Sequence, residues 1–314
     1  MRLVKAVLII LLFCGMAFAG RADETTAPAT AAGTASTAAP APAAHVEQGI
    51  SAKAMEVGRI GPFVITNSMV VCWGVAIGLI IFAQVATRNI QQVPGGAQNF
   101  WEWLVESLYN FLEGIIGPEL VKKTFWFFAT IFIFIVFSNW LGLIPGVGSI
   151  GWGVRTDHGF EIVQPWFRGA NADLNMTMAM ALVFFACWIV WALQANGPLG
   201  LLKHLFAPKG KSSGMLKVLL VVIFFAVGFL EIFSILFRPV SLSFRLYGNI
   251  FAGENMLESM SKLVPHLGWL LPVPFYFMEL LVGVIQALVF MLLTAVFTML
   301  ITQHDEPEHG KAHH

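Results

Sequence analysis

Charged side chains are scarce in this sequence. Asp, Glu, Lys and Arg make up 11% of its 314 residues and hydrophobic residues make up 57%, whereas charged residues are about a quarter of an ordinary soluble domain. The formal net charge is zero at pH 7, so no excess of positive charge points to a nucleic acid as a partner. The composition excludes an ordinary soluble protein and predicts an integral membrane protein that has the lipid bilayer as its surroundings.

The sequence also has few residues for metal or disulfide chemistry. Cys14, Cys72 and Cys187 are far apart, a spacing typical neither of a zinc site nor of a disulfide framework. The only His-x-x-x-His spacing, His309 with His313, lies in the polar C-terminal tail. We therefore expect no metal site, no cofactor and no catalytic centre in the chain itself.

Residues 1–19 have the pattern of a secretory signal peptide. Arg2 and Lys5 precede an apolar run, and Ala17-Phe18-Ala19 follows as a small-x-small cleavage site. A lipoprotein signal at Cys14 is the alternative, but a bulky phenylalanine stands before that cysteine where a small residue is required. The sequence thus predicts that the N-terminus is exported.

The next segment, 20–58, is predicted to be disordered and exported. Its central part, 25–44, is almost wholly Ala, Pro, Thr, Ser and Gly, which cannot bury enough apolar surface to offset the loss of chain entropy on folding. A membrane domain at 59–303 and a short tail at 304–314 complete the predicted organisation.

Apolar runs that are long enough to cross a bilayer, about 20 residues, recur in the membrane domain. They lie at 67–87, 124–144, 174–195, 218–263 and 272–303. The fourth run is more than twice the hydrocarbon thickness of about 30 Å at 1.5 Å per residue, so it must be tilted, bent or broken, and Pro239 is a candidate kink. The predicted fold is an all-α integral membrane protein with about five membrane-embedded helices, of which the last two are long, tilted and form a hairpin.

A sixth helix, at 100–116, is predicted to be amphipathic. Polar side chains recur on one side at helical steps, namely Glu102, Glu106, Asn110 and Glu113. Apolar side chains line the other side, namely Leu104, Leu108, Phe111, Leu112 and Ile115. Such a helix is expected to lie along the membrane interface, and a soluble helix packed on a partner is the alternative.

Basic residues predict the orientation in the membrane. The loop at 199–217 carries Lys203, Lys209, Lys211 and Lys217, and loops rich in lysine and arginine remain on the cytoplasmic side. Counting spans from this loop places the C-terminal tail in the cytoplasm and the N-terminus outside, in agreement with the signal peptide. The expected location is the inner (plasma) membrane of the cell.

Several charged and amide side chains interrupt the last two apolar runs. They are Glu231, Arg238, Arg245, Asn249, Glu254, Glu279 and Gln286. Each charge at mid-membrane costs about 2.5–3.5 kcal/mol, which favours a polar interface or a water-filled cavity over contact with lipid. The steps from Glu231 to Arg238 to Arg245 to Asn249 are seven, seven and four residues, so a helix places them on one face. Simple pairing of Glu231 with Arg238 is the alternative for that pair.

A hairpin of the last two helices would bring some of these side chains together. Folding back near residue 266 places Glu279 opposite residue 253 and Gln286 opposite residue 246, which predicts a Glu254–Glu279 pair and an amide beside Arg245. Carboxylates can accept and release protons, whereas a guanidinium stays protonated. Arg245 would therefore separate two routes, with Glu254 and Glu279 toward the exported side and Glu231 toward the cytoplasm. A moving carboxylate would have to connect them.

Several motifs resemble the subunit a family of F-type ATP synthases. They are RPVSLSFRLYGN at 238–249, AGE at 252–254, FR at 167–168, DLNMT at 173–177 and IQA at 285–287. The resemblance covers most of residues 60–303, and it implies that Arg245 faces a rotating ring of c subunits. It also implies that protons enter past Glu254, Asn249 and Glu279 and leave near Glu231.

The resemblance implies further residues and partners. The supporting polar side chains would be Arg238, Ser241, Asp173 and Asn175, and the partners would be the c-ring proteolipids, the subunit b stalk and the remaining ATP synthase subunits. Some bacterial members have a histidine where this chain has Glu279, a departure that bears on the pH dependence of uptake. Whether the ion is a proton or sodium stays open, because its carboxylate would lie on the ring.

Rival functions fit the sequence less well. A secondary ion-coupled transporter would also bury charges, but it usually has paired repeats with broken helices, and no such repeat is evident. An intramembrane enzyme would need a constellation such as serine with a histidine base, which the apolar runs lack. A purely structural scaffold gives no reason for an arginine in an apolar run.

Overall fold

The computed structural model describes residues 54–60, 63–144, 150–156, 159–206, 215–263 and 268–302. The predicted signal peptide, most of the predicted disordered segment, the turn near residue 266 and the C-terminal tail lie outside these ranges.

The described chain is built mainly from six helices. They are α1 (Asn67–Thr87), α2 (Gly96–Ile116), α3 (Pro118–Gly142), α4 (Leu174–Phe206), α5 (Met215–Leu263) and α6 (Pro272–Thr302). Five of them, all except α2, are long and apolar enough to cross a membrane. The predicted all-α membrane fold with five spans and one additional helix is thus confirmed.

The α2 helix is amphipathic, as its sequence predicts. Leu108 and Leu112 are buried, and α2 packs against α1 and α3. Glu102 and Glu106 are exposed on the opposite side. The prediction is wrong for Phe111, which is 41% exposed and does not join the buried face. Because Phe111 stands next to Asn110, it lies at the border between the two faces.

The α3 helix is the central element of the bundle. It begins at Pro118, six residues before the predicted start at 124, because Gly117 separates it from α2 with a positive φ of 81° and a proline suits the first helical position. Phe127, Phe128 and Ile131 are fully buried. The buried fraction of its apolar stretch is 61%, compared with 11% for that of α5.

The α4 helix contains a break near its C-terminal end. Gly197 has a φ of 68° and a ψ of 167°, a conformation that L-residues rarely adopt. Pro198 follows, so the predicted end of the third span at 196–198 coincides with this break. The helix nevertheless resumes and ends at Phe206, and the prediction of a loop from residue 199 is wrong for these first residues.

Two short antiparallel hairpins, which the sequence analysis did not predict, flank the helices. β1 (Glu56–Ile60) pairs with β2 (Phe63–Thr66), and β3 (Gly151–Thr156) pairs with β4 (Gly159–Pro165). β1 begins inside the segment 20–58, so order begins earlier than predicted because the backbone of 56–60 pairs with β2. The indole rings of Trp152 and Trp166 pack at 5.4 Å between centroids.

The α5 helix is 49 residues long and continues through Pro239. The sequence left tilting, bending and breaking open for this segment, and a break is not observed. At 1.5 Å per residue a helix of this length extends about 70 Å, so only a tilted or bent path fits a bilayer. α5 packs against α4 and α6, and few residues of its apolar stretch within Ile223–Leu263 are buried.

Candidate functional site

Arg245 lies on an exposed face of α5. Ser241 and Asn249, one turn before and one turn after it, are exposed as well. Within the ranges that the structure describes, the Arg245 guanidinium makes no hydrogen bond and no ion pair. A permanent cation in a membrane-spanning helix is costly next to lipid. This face of α5 therefore requires a partner that supplies negative charge or water.

The same face is lined by small side chains. Ser241 precedes Arg245 by one turn, and Gly248 and Ala252 follow it at helical steps. A methyl group added at Gly248 would meet no atom within 4 Å. Small residues allow the backbone of a second helix to approach closely. The face that carries Arg245 is thus shaped for helix packing.

Glu231 and Arg238 form an ion pair at one end of this face. The Arg238 Nη2 atom donates to Glu231 Oε1 at 3.3 Å. The Arg238 guanidinium also lies over the Phe297 ring of α6, 4.4 Å from its centroid. The pairing of Glu231 with Arg238, which the sequence analysis gave as the alternative, is therefore present. The Glu231 carboxylate is exposed and remains accessible.

Glu279 lies where the hairpin geometry predicted it. Its side chain is buried, with 7% exposure, and its carboxylate packs so closely on Gly253 of α5 that a Cβ atom there would collide with it. A side chain at position 253 would therefore require the Glu279 carboxylate to move. The α5–α6 hairpin thus brings the Glu279 carboxylate beside the residue that precedes Glu254.

Glu254 points into the bundle, toward the end of α3 and the segment before α4. A Cβ atom at Gly169 would collide with its carboxylate, and a Cβ atom at Gly142 would lie 4.0 Å from the Glu254 Oε1 atom. Its charge interacts with Arg168 and Glu279. The two glutamates are therefore enclosed together, at some distance from the exposed Arg245.

We expect Gly253→Ala to lower the thermal stability of the purified protein. Replacing a helical glycine by alanine usually stabilises by about 0.5–1 kcal/mol, but here the methyl group would displace the Glu279 carboxylate. Gly78→Ala in α1 is the matched control, since nothing lies within 4 Å of its added methyl group. A thermal midpoint of Gly253→Ala equal to or above that of Gly78→Ala would contradict the close contact.

A polar network that the sequence analysis missed supports the hairpin. The Asn171 Nδ2 atom donates to Asn139 Oδ1 at 2.6 Å, and Asn139 Nδ2 donates to the Gly283 carbonyl at 3.0 Å. All three residues are buried. A lone amide late in the apolar run at 124–144 was the available signal for Asn139, whereas nothing local in the sequence indicates its partner on α6.

Several buried polar side-chain atoms have no hydrogen-bond partner among the described residues. They are Glu279 Oε1, Glu258 Oε2, Arg168 Nε, Arg168 Nη2, Asn171 Oδ1 and Ser138 Oγ. Buried polar groups are normally hydrogen-bonded to protein or to ordered water. We call the surroundings of Glu254 and Glu279, which include Arg168, Gly169 and Gly253, the polar chamber, and we expect ordered water to satisfy its unpartnered atoms.

Asp173 and Asn175 take part in a structural contact. Asp173 is buried, and it accepts hydrogen bonds from Ser68 Oγ at 2.6 Å and from the Asn175 backbone N–H at 2.9 Å. The second bond is that of an N-cap, which satisfies a free donor in the first turn of α4. Asp173 thereby joins α1 to the start of α4.

Gln286 is half-buried on α6, and no hydrogen bond joins it to Arg245 in the part of the chain that the structure describes. The predicted arginine–amide contact is therefore not observed in the isolated chain. A cleft of about 490 Å³ lies near the other end of α3, beside Lys123 and Trp191, and contains none of the predicted site residues. The described residues contain no His, Cys, Asp or Glu group suited to a metal ion.

Residues 69–299 match the model of a protein family described as ATP synthase A chain. The chain belongs to this family. A curated relative named ATP synthase subunit a, from Gloeobacter violaceus, is 34% identical over 260 residues, which are 81% of this chain and 93% of the relative. Relatives of the same name from Helicobacter hepaticus and Trichlorobacter lovleyi are 32% and 33% identical over 71% and 74% of this chain, covering 84% and 85% of their own lengths.

Membership of the ATP synthase A chain family agrees with the five apolar helices, and the chain is a multi-pass membrane protein. The matched range contains every predicted site residue, from Asp173 to Gln286, together with the missed residues Asn139, Arg168 and Asn171.

Proposed function

We propose that this chain is the non-catalytic, proton-translocating subunit of an F-type ATP synthase, and that it provides two half-channels to a rotating c-ring with Arg245 between them. The observation that carries the proposal is the separation of charges on α5. Arg245, which has no acidic partner in the part of the chain that the structure describes, is exposed on the outer face, while the Glu254 and Glu279 carboxylates are enclosed on the inner side.

The uptake half-channel would consist of the polar chamber around Glu254 and Glu279, followed by Asn249 and Gln286. Glu254 and Arg245 are nine residues apart, which at about 100° per residue puts them on opposite sides of the helix. Asn249 is one turn from Arg245 and shares its exposed face. A proton would therefore leave the interior near Asn249 and reach the outer face beside the arginine.

Arg245 would meet each carboxylate that the ring presents. A fixed cation favours the ionised form of such a carboxylate, so the ring side chain would release its proton on one side of Arg245 and take up a new one on the other. Guanidinium does not give up its own proton, which prevents direct leakage between the half-channels.

The release half-channel would lie near Glu231. Fourteen residues separate it from Arg245, about 21 Å of helix, in the direction away from Glu254. Its exposed carboxylate is linked to Arg238, so Arg238 would orient it, and Ser241 would supply a further polar group on the path. Asp173 and Asn175 would support the uptake side by fixing the start of α4.

The proposed role in an F-type ATP synthase also implies the partners, the location and the topology of the chain. The partners would be the c-ring proteolipids, the subunit b stalk and the remaining synthase subunits, in the inner membrane of the cell. The signal peptide at 1–19 and the segment 20–58 would be exported, the membrane domain would cover 59–303, and the tail at 304–314 would be cytoplasmic.

We expect cysteines on the Arg245 face to cross-link to a c-ring proteolipid. The background would carry Cys72→Ala and Cys187→Ala, and the probes Glu231→Cys and Ala252→Cys both replace exposed residues on this face. Ile77→Cys is the control, because Ile77 is also exposed but belongs to α1. The purified complex, treated with an oxidant after cysteines are introduced in the ring, would be analysed by electrophoresis.

Two results would count against the proposal. One is purification of the intact chain without a ring of small two-span proteolipids. The other is cross-linking of the ring through Ile77→Cys in preference to the two α5 probes. In addition, a water-soluble thiol reagent should reach Glu231→Cys from the cytoplasmic side, and labelling only from the exported side would contradict the topology.

A further inference from the structure

Arg168 is a buried arginine that the proposed half-channels do not use. It stands just before the 3₁₀ turn at Ala170–Ala172 and is 7% exposed. Its guanidinium lies 5.7 Å from the centroid of the Phe251 ring on α5. The following residue, Gly169, is the one whose backbone touches the Glu254 carboxylate. The Arg168 guanidinium thus contacts the Phe251 ring of α5, and the adjacent Gly169 backbone contacts Glu254 in the chamber.

The guanidinium has an unused pair of donors. Its Nε and Nη2 atoms are both buried and lack a hydrogen-bond partner among the described residues. These two N–H groups form one edge of the planar group, the edge that binds both oxygens of a carboxylate. A buried cation is costly unless it is paired and hydrogen-bonded. The edge therefore requires an acidic or hydrated partner.

The acidic groups within its electrostatic reach are in the chamber. The charge of Arg168 acts on Glu254, and Glu279 acts on the same carboxylate from α6. The two glutamates differ in surroundings, because Glu254 lies against the Arg168–Gly169 backbone while Glu279 packs on Gly253 with its Oε1 atom unpaired. Two neighbouring carboxylates do not ionise independently. A cation beside one of them favours the ionised form of that carboxylate.

We propose that Arg168 is the positioning residue of the uptake route, and that its Nε–Nη2 edge, which has no partner among the described residues, binds the Glu254 carboxylate when that carboxylate is ionised. This inference rests on the proposed function. In each cycle Glu254 accepts a proton from the exported water, its bond to Arg168 weakens, and the proton passes on toward Asn249. Loss of that proton restores the carboxylate, and the arginine holds it again in the accepting state.

The test uses the assembled complex in vesicles, with proton flux measured per assembled complex as a function of pH on the exported side. The variants are Arg168→Gln and Arg168→Lys. Without the cation, Glu254 should keep its proton to higher pH, so the midpoint of the flux profile should rise by about one pH unit or more in Arg168→Gln. Arg168→Lys should shift it less, because the charge remains while the two-donor edge is lost.

The control is Arg59→Gln, which removes an exposed positive charge from β1 and should leave the profile unchanged. If Arg168→Gln fails to assemble, the double variant Arg168→Gln with Glu254→Gln decides, because removing both charges should restore assembly. No recovery in the double variant would overturn the proposal.

The outcomes separate this inference from the function on which it rests. Loss of flux in Glu254→Gln together with a parental profile in Arg168→Gln would overturn the role of Arg168 alone. Parental flux in Glu254→Gln would instead remove Glu254 from the uptake route. A purely structural role for Arg168 predicts fewer assembled complexes with an unshifted profile, which would also overturn the proposal.

Discussion

Arg245→Ala is expected to abolish coupled proton pumping and to open a passive proton leak. Among the described residues of this face, Arg245 is the cation without an acidic partner, because Arg238 is paired with Glu231 and the side chains next to Arg245 are the small or neutral Ser241, Gly248 and Asn249. ATP-driven pumping should fall by at least about tenfold, the effect of raising a barrier by 1.4 kcal/mol. The leak would be measured in vesicles stripped of the soluble catalytic head, beside an assembly assay.

Lysine is expected to be a poor replacement at this position. Its ammonium is compact, strongly hydrated and readily deprotonated on burial, so Arg245→Lys should insert and assemble but lose coupled pumping. Arg88→Ala, which removes an exposed arginine after the end of α1, is the matched control and should pump at the parental rate. An assembled Arg245→Ala complex that still pumps at the parental rate would end the proposed mechanism.

The second large effect is expected from Glu254 and Glu279. Glutamine keeps the size of the side chain but cannot transfer a proton as a carboxylate does, and a positioned acid–base group typically contributes about 10²–10⁴-fold to a rate. Glu254→Gln should therefore reduce pumping and passive flux by at least about tenfold. Glu279→Gln should have a smaller effect, and the double variant should be as inactive as Glu254→Gln because the two groups act in one chamber.

The matched control for these variants is Glu258→Gln. Glu258 lies one turn after Glu254 on the same helix, and its Oε1 atom pairs with Lys262 at 2.5 Å. The complex that carries Glu258→Gln should pump protons close to the parental rate. Parental pumping in Glu254→Gln and Glu279→Gln alike, with assembly intact, would remove the glutamate pair from the path.

The success of the hairpin prediction has a simple physical basis. Two helices that fold back at a short turn bring residues together in reverse order, so the turn near residue 266 pairs Glu279 with residue 253. The structure has the Glu279 carboxylate on Gly253. The predicted contact between Gln286 and Arg245 is not observed, because helix rotation also matters and α5 turns Arg245 outward.

The contacts that the sequence analysis missed were missed for a different reason. Asn139 and Gly283 are joined across 144 positions, and Asn171 and Asn139 across 32. No periodic pattern connects such distant positions. The short hairpins were missed because they are too brief to give a sustained alternation of polar and apolar residues, and Arg168 was noted only as part of a motif.

The sequence by itself determined the membrane class, the five spans, the amphipathic helix and the charged face of α5. These properties depend on composition and on local repeats of 3.6 residues, which a linear pattern carries. Only the tertiary structure decided that Glu254 faces the bundle, that Gly253 admits Glu279, and that Arg168 Nε and Nη2 have no hydrogen-bond partner in the described ranges. Such contacts depend on how helices rotate and pack against distant segments, and this information exists only once the chain has folded.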